Sequence, residues 1–184
     1  MSALLASPWT RWGLVAVLQL VLIGLPLADR LQVHWFGREV TLALRPIDPR
    51  DLLRGDYVIL NPEIGQVLPE AGVPQGLASG DEVWVVVEPD DEGISRAVAV
   101  LSAPPGDGRI ALKGRVTGVP ASASGALRVD YGLETFFVPE GQGIEIERMP
   151  ADRVRLVVAV ADDGRSAPLR LMADGEVLLK DSAF

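Results

Sequence analysis

The stretch EVWVVVEPDDEGISRAVAVL, residues 82–101, decides the fold class. Residues 82–88 form a nearly continuous Val-rich run, the composition of a strand buried on both faces. Pro89, Asp90, Asp91, Glu92 and Gly93 then supply turn chemistry, and residues 95–101 return as a second strand. Outward from this pair the same grammar repeats. Residues 39–44 (EVTLAL), 109–119 (RIALKGRVTGV) and 126–131 (ALRVDY) alternate apolar and polar, with Gly114 expected as a bulge. Residues 57–60 (YVIL) are a short apolar run. Residues 153–160 and 167–172 flank Asp163-Gly164, a hairpin signal, and a further turn at 173–175 leads into EVLLK. After Ala28 no long stretch keeps a helical period; one helical piece is expected at 143–149. Eight to ten short strands at this spacing predict a mainly β protein, an antiparallel sandwich or small barrel.

Composition bounds the chemistry. The 184 residues include 19 Gly and 14 Pro, which favours short elements joined by turns. There is no Cys, which excludes disulfides and thiolate chemistry. A single His, His34, cannot build a multi-histidine metal site, and it stands among Val33, Trp35 and Phe36 as an ordinary interfacial residue. Arg11 is the only charged residue before Asp29, so the remainder carries 16 basic and 25 acidic groups. That excess of acid argues against nucleic acid as a partner and against docking on anionic lipid.

Residues 13–28 (GLVAVLQLVLIGLPLA) hold one strongly polar side chain, Gln19. With Trp9 and Trp12 before it and Trp35 after, the segment reads as a transmembrane anchor with interfacial aromatics. Arg11 places residues 1–12 in the cytoplasm and residues 29–184 outside it. A cleaved signal segment and a buried core helix are the alternatives; a cut after Ala28 would put Pro26 where a small residue is wanted.

RPIDPRDLLRGDYVIL, residues 45–60, carries the most distinctive local chemistry. Asp48 suits an N-cap, Pro49 the first helical position, Asp51 the third, and Gly55 a helix end. Those roles leave Arg50 and Arg54 without a structural task, and with Asp56 they could form a charged rim at a strand mouth. A second stretch, YGLETFFVPEG (131–141), reads as a strand of Phe136 and Phe137 ended by Pro139 and Gly141.

Pro46, Asp48 to Leu53, Arg54, Gly55-Asp56-Tyr57 and Leu60, followed by LKGRV (112–116), YGLETFFVPEG and the closing hairpin, resemble the GDYXXLXY family over nearly all of the chain beyond the helix. Where the family name asks for a final Tyr, this chain has Pro62, so no phenol role carries over. The resemblance implies a small bacterial protein with an N-terminal membrane segment that accompanies multi-spanning membrane proteins. It implies no reaction.

The expectation is therefore a single-pass protein of the bacterial cytoplasmic membrane whose β-domain lies outside and engages an integral-membrane or envelope protein, with lipid contacted through the helix. The expected polar patch is Arg50, Arg54, Asp56, Tyr57, Tyr131, Glu134 and Glu140, with opposite charges from two loops meeting. No catalytic group, metal or cofactor is expected. The alternative is a hydrolase or small-ligand-binding domain using the acid/Arg cluster. Lys113 faintly matches the base of membrane-anchored serine–lysine peptidases, but no Ser or Thr lies between Leu42 and Ser79 to act as nucleophile, which leaves at most an inactive relative. The acidic turns at 90–92 and 162–163 lack calcium-loop spacing.

Overall fold

Valine-rich alternation pairs here over long sequence distances. The structure, a computed structural model, describes residues 8–45, 57–68, 73–120, 125–137 and 149–181. The chain divides into two compact units, residues 1–32 and 33–184.

The first unit is helical. Helix α1, Pro8–Phe36, is apolar on all faces over its first part, with Leu14, Val17, Leu18, Leu20, Leu22, Ile23 and Leu25 all exposed. Among the described residues no helix is long and apolar enough to cross a membrane.

The second unit begins with the last turn of that helix and is otherwise β. Among the described residues eleven strands follow: β1 Arg38–Ala43, β2 Tyr57–Ile59, β3 Gln66–Val67, β4 Glu82–Pro89, β5 Ser95–Leu101, β6 Ala111–Gly118, β7 Leu127–Asp130, β8 Thr135–Phe137, β9 Val154–Val160, β10 Ser166–Ala173 and β11 Glu176–Lys180. They form a four-stranded sheet in the order β1-β9-β10-β11, a five-stranded sheet in the order β3-β7-β6-β4-β5, and the pair β2-β8. Every pairing is antiparallel. One core joins the two large sheets: Leu42, Leu156, Val158 and Leu171 from the first meet Val83, Val85, Leu112, Val116 and Leu127 from the second. Each fully buried Leu contributes about 1.5–3 kcal/mol of transfer free energy.

Strand β9 is buried on both faces. Leu156 and Val158 point into the shared core, while Val157 and Ala159 point the other way and are also buried. Val33 of the last helical turn is buried too, and Gly37 explains the close approach. A Cβ at Gly37 would lie 2.9 Å from the Ala159 Cβ and 2.5 Å from the Val33 carbonyl oxygen. The Gly37 N–H closes the helix on that same carbonyl at 2.9 Å.

One local expectation changes, while the hairpin expected at Asp163-Gly164 joins β9 to β10. Gly114 is not a bulge; it pairs in register with Val83, and the irregularity in β6 falls between Val116 and Gly118. A Cβ at Gly114 would collide with Val129 Cγ1 and lie 2.9 Å from the Tyr131 ring, so glycine is there to let the Val129 and Tyr131 side chains cross the strand. In the 161–165 hairpin only Gly164 has positive φ, at 91°. Its N–H bonds the Ala161 carbonyl at 2.9 Å, and Ala161 N–H bonds the Arg165 carbonyl at 2.8 Å, so the connection is longer than a two-residue turn. Pro168 sits in β10, an interior strand, where its missing N–H falls beside a break in register. The helical pieces expected at 48–55 and 143–149 fall on or run into residues outside those described.

Candidate functional site

The two distinctive stretches of sequence are neighbours. Tyr57 pairs with Phe137, Val58 with Phe136 and Ile59 with Thr135. The ladder continues as the Leu60 N–H donates to the Glu134 carbonyl at 2.7 Å. The chain then turns: Leu44 bridges Pro62, the Arg45 N–H bonds the Asn61 carbonyl at 2.8 Å, and a 3-10 turn, Glu63–Gly65, delivers it into β3.

Beside this junction lies an open cleft of about 380 Å³, lined by Asn61, Gln66, Thr117, Arg128, Asp130 and Glu134 among others. Alternation along β7 builds one wall. Leu127, Val129 and Tyr131 turn inward, leaving Arg128 and Asp130 facing out. Gln66 stands opposite Arg128 across the strands and accepts from Arg45 Nη1 at 2.6 Å. Pro62, the position at which the family name has Tyr, also lines the cleft.

The loop after β7 arranges the acids. Asp130 Oδ1 accepts from the Gly132 N–H at 2.8 Å, and Gly132 takes the left-handed conformation, φ 69°, that this reversal needs. The chain is thereby folded back so that Glu134 Oε1 accepts from the Tyr131 N–H at 3.2 Å. Glu134 and Asp130 then both line the cleft. Burial pushes the Glu134 carboxyl above the usual carboxylate range, and the Asp130 carboxylate beside it adds to that push; the Tyr131 N–H works against both. The arrangement sets two carboxyl groups beside a guanidinium on the lining of one cleft.

Of the seven expected patch residues, Arg50, Arg54, Asp56 and Glu140 lie outside the described residues. Tyr57 is placed by its backbone, next to Phe137. Tyr131 belongs to the core rather than a surface: its ring is buried, its hydroxyl donates to the Ile64 carbonyl at 3.0 Å, and burial pushes its phenol far up. Glu134 is half-buried at the cleft. Asp130 and Arg128 were not among the expected residues; their only signal is the outward register of ALRVDY.

Other acids serve locally. Asp90 Oδ1 accepts from the Glu92 and Ile94 N–H groups, both at 3.0 Å, and its Oδ2 from Arg96 Nε at 2.9 Å. Among the described residues no three acidic or imidazole groups converge to hold a metal. Lys113 Nζ lies 3.0 Å from Glu82 Oε2 and 5.4 Å from the Trp84 ring centroid, on the outer face of its sheet.

The fold thus defines a small protein of two packed antiparallel sheets preceded by a helix, with a polar cleft where its two signature stretches cross. The chain belongs to the GDYXXLXY protein family, whose model matches residues 19–171. Neither curated proteins nor solved structures provide a match.

Proposed function

We propose that this protein is a single-pass accessory subunit of the bacterial cytoplasmic membrane. Its β-domain lies outside the cytoplasm and engages an integral-membrane or envelope protein. The observation that carries the reading is the helix: leucine, isoleucine and valine are exposed on every side of it, and a helix apolar all round is stable only inside a large core or a bilayer. In the sequence the apolar run continues to Ala28. An anchored domain meets other membrane proteins at high effective concentration, so a weak docking surface suffices.

The cleft at Asp130 and Glu134 is the docking surface we favour. It is open and polar, which suits an extended segment or loop of a protein better than a small molecule, whose sites bury most of the ligand. The carboxyl oxygens of Asp130 and Glu134 can accept from backbone N–H groups of such a segment, and the Arg128 guanidinium can donate to its C=O groups. The charge opposition between Arg128 and the acid pair favours a second reading, a zwitterionic small ligand at the same place.

The test is crosslinking in intact membranes followed by pull-down of the full chain. Arg128→Ala and Glu134→Gln should keep the protein in the alkali-resistant membrane fraction while the crosslinked partner is lost. Partner recovery unchanged in both variants would remove the cleft from the proposal. Release of the wild-type chain by alkali would remove the anchor.

A further inference from the structure

We infer that the cleft contains a socket for one aromatic side chain of the docked segment, floored by Pro62 and Gly65. This rests on the docking reading above and names the residue that the partner inserts.

Three observations carry it. First, the lining is graded. Pro62 and Val129 are buried and Gly65 is half-buried, whereas Thr117, Arg128 and Asp130 are exposed. A buried floor of proline, glycine and valine inside a polar rim is the anatomy of an anchor site at an interface, where the rim keeps water from the inserted side chain. Second, the floor is bare and preformed. Among the described residues, a Cβ added at Gly65 would meet only the Val129 carbonyl oxygen, at an ordinary 3.6 Å. The Gly65 N–H bonds the Pro62 carbonyl at 2.9 Å, and the Tyr131 hydroxyl holds the Ile64 carbonyl at 3.0 Å from the core side. A segment that docks here therefore has no loop to order on this side. Third, the family name calls for tyrosine at the position of Pro62. The backbone there, φ −58° and ψ 136°, is an extended conformation open to either residue. The lining thus lacks an aromatic ring at the place where the family name has one, and room is left for a ring from outside.

The walls select the occupant. The Pro62 ring offers an apolar surface, and the Arg128 guanidinium on the same lining is attracted to the face of an aromatic ring. An aromatic side chain also loses little freedom on insertion, having only two torsions. An aliphatic side chain would fill the room without using the guanidinium, and a basic one would be repelled by it.

The test follows the backbone N–H signals of Gly65, Gln66 and Arg128 by NMR in the full-length chain in detergent micelles. The N-acetyl amides of phenylalanine, leucine, lysine and alanine are added at millimolar concentration. The expected result is a saturable shift of these signals, with the phenylalanine amide bound several-fold more tightly than the other three. Pro62→Tyr and Gly65→Leu fill the room and should abolish that binding, whereas Pro62→Ala should weaken it only slightly. Where Pro62→Tyr does not fold, Gly65→Leu carries the test, because a Cβ there has space. A lysine amide that binds more tightly than the phenylalanine amide overturns the socket, since the acids would then choose the occupant. Loss of binding in Pro62→Ala equal to that in Pro62→Tyr overturns it as well, because proline itself and not the room would be required. Unfolding of both filled variants means that the chain's own residues occupy the room, which also overturns it. No saturable binding of the phenylalanine amide, while Glu134→Gln still loses its crosslinked partner, overturns the socket and leaves the docking surface standing.

Discussion

The Trp84 indole N–H donates to the carbonyl oxygen of Asp163 at 2.9 Å. Trp84 is in β4 of the five-stranded sheet, and Asp163 is in the β9–β10 turn of the four-stranded sheet. The bond therefore ties the sheets together at their edge, beyond the apolar core. Gly164 completes the contact: its carbonyl accepts from the Lys113 N–H at 2.7 Å, and a Cβ there would lie 2.7 Å from Trp84 Cδ1. Glycine is needed twice over, for its positive φ and for the room.

Gly164→Ala should accordingly be among the more damaging single-methyl additions. A left-handed non-glycine residue costs about 1–2 kcal/mol and overpacking about 1–3 kcal/mol more. Urea unfolding should show a loss of about 2–5 kcal/mol. Trp84→Phe keeps most of the ring and loses the N–H, leaving the Asp163 carbonyl to water, for a smaller loss of about 1 kcal/mol. A Gly164→Ala protein as stable as wild type would show that the turn does not pack on Trp84.

Gly114 makes a comparable prediction inside the sheet. Its missing Cβ is the space used by Val129 Cγ1 and the Tyr131 ring, and that ring carries the hydroxyl that bonds the Ile64 carbonyl beside the cleft. Gly114→Ala should cost about 1–3 kcal/mol through overpacking. The discriminating measurement is the double variant. Trimming the clashing methyl with Val129→Ala in the Gly114→Ala background should cost less than Val129→Ala does in wild type, a coupling that appears only between residues in contact.

The LKGRV and YGLETFF stretches thus depend on each other through Gly114 and Tyr131. How much of this was readable in the chain varies by element. Residues 95–101 and EVLLK are strands over the full range that alternation predicts, because period-2 patterning and turn chemistry act locally. Strand β3 has only two residues, too few to show a period, and it was missed. The sheet order was also out of reach, since β1 pairs with β9 from the other end of the chain and no local signal selects that partner. At Gly114 the sequence suggests a bulge because it reports a missing side chain without reporting who uses the space. At the cleft, Glu134 stood out by its motif, while Asp130 and Arg128 are ordinary outward strand residues whose importance comes from the fold bringing Gln66 and Asn61 against them.

Surface charge should matter far less than these packing contacts. Arg170 clasps Glu39 with both terminal nitrogens, at 3.0 and 2.6 Å, reaching from β10 over β9 to β1. The arginine's hydrogen bonds hold the Glu39 carboxyl below its usual range. Both side chains keep contact with water, so screening limits the gain. Arg170→Met should lower stability by at most about 1 kcal/mol, with the difference shrinking as sodium chloride rises toward 1 M. A loss of several kcal/mol that ignores salt would mean that the aliphatic stem, not the ion pair, holds the strands.

Glu134 should give the domain a pH signature opposite in sign to that of its other carboxylates. A carboxyl whose folded pKa is raised binds its proton more tightly when folded, so its contribution is fully present below the unfolded value of about 4.3 and disappears as pH rises through the folded value. Asp90, Asp107, Asp163 and Asp174, held low by arginines and backbone N–H groups, contribute above their unfolded values and lose that contribution as pH falls. Total stability therefore falls in acid, and the Glu134 effect emerges only as a difference between proteins. Glu134→Gln can still accept the Tyr131 N–H through its carbonyl and can donate to Asp130, mimicking the protonated acid. Thermal unfolding across pH 4 to 8 should show the Gln variant gaining on wild type as pH rises, with the two curves meeting at the acid end. Asp130→Asn removes the neighbouring charge, and in that background the gap should open somewhat less as pH rises, while the larger part, which comes from burial, remains. Parallel curves for wild type and Glu134→Gln would show that the Glu134 carboxyl is not held above its usual range in the folded protein.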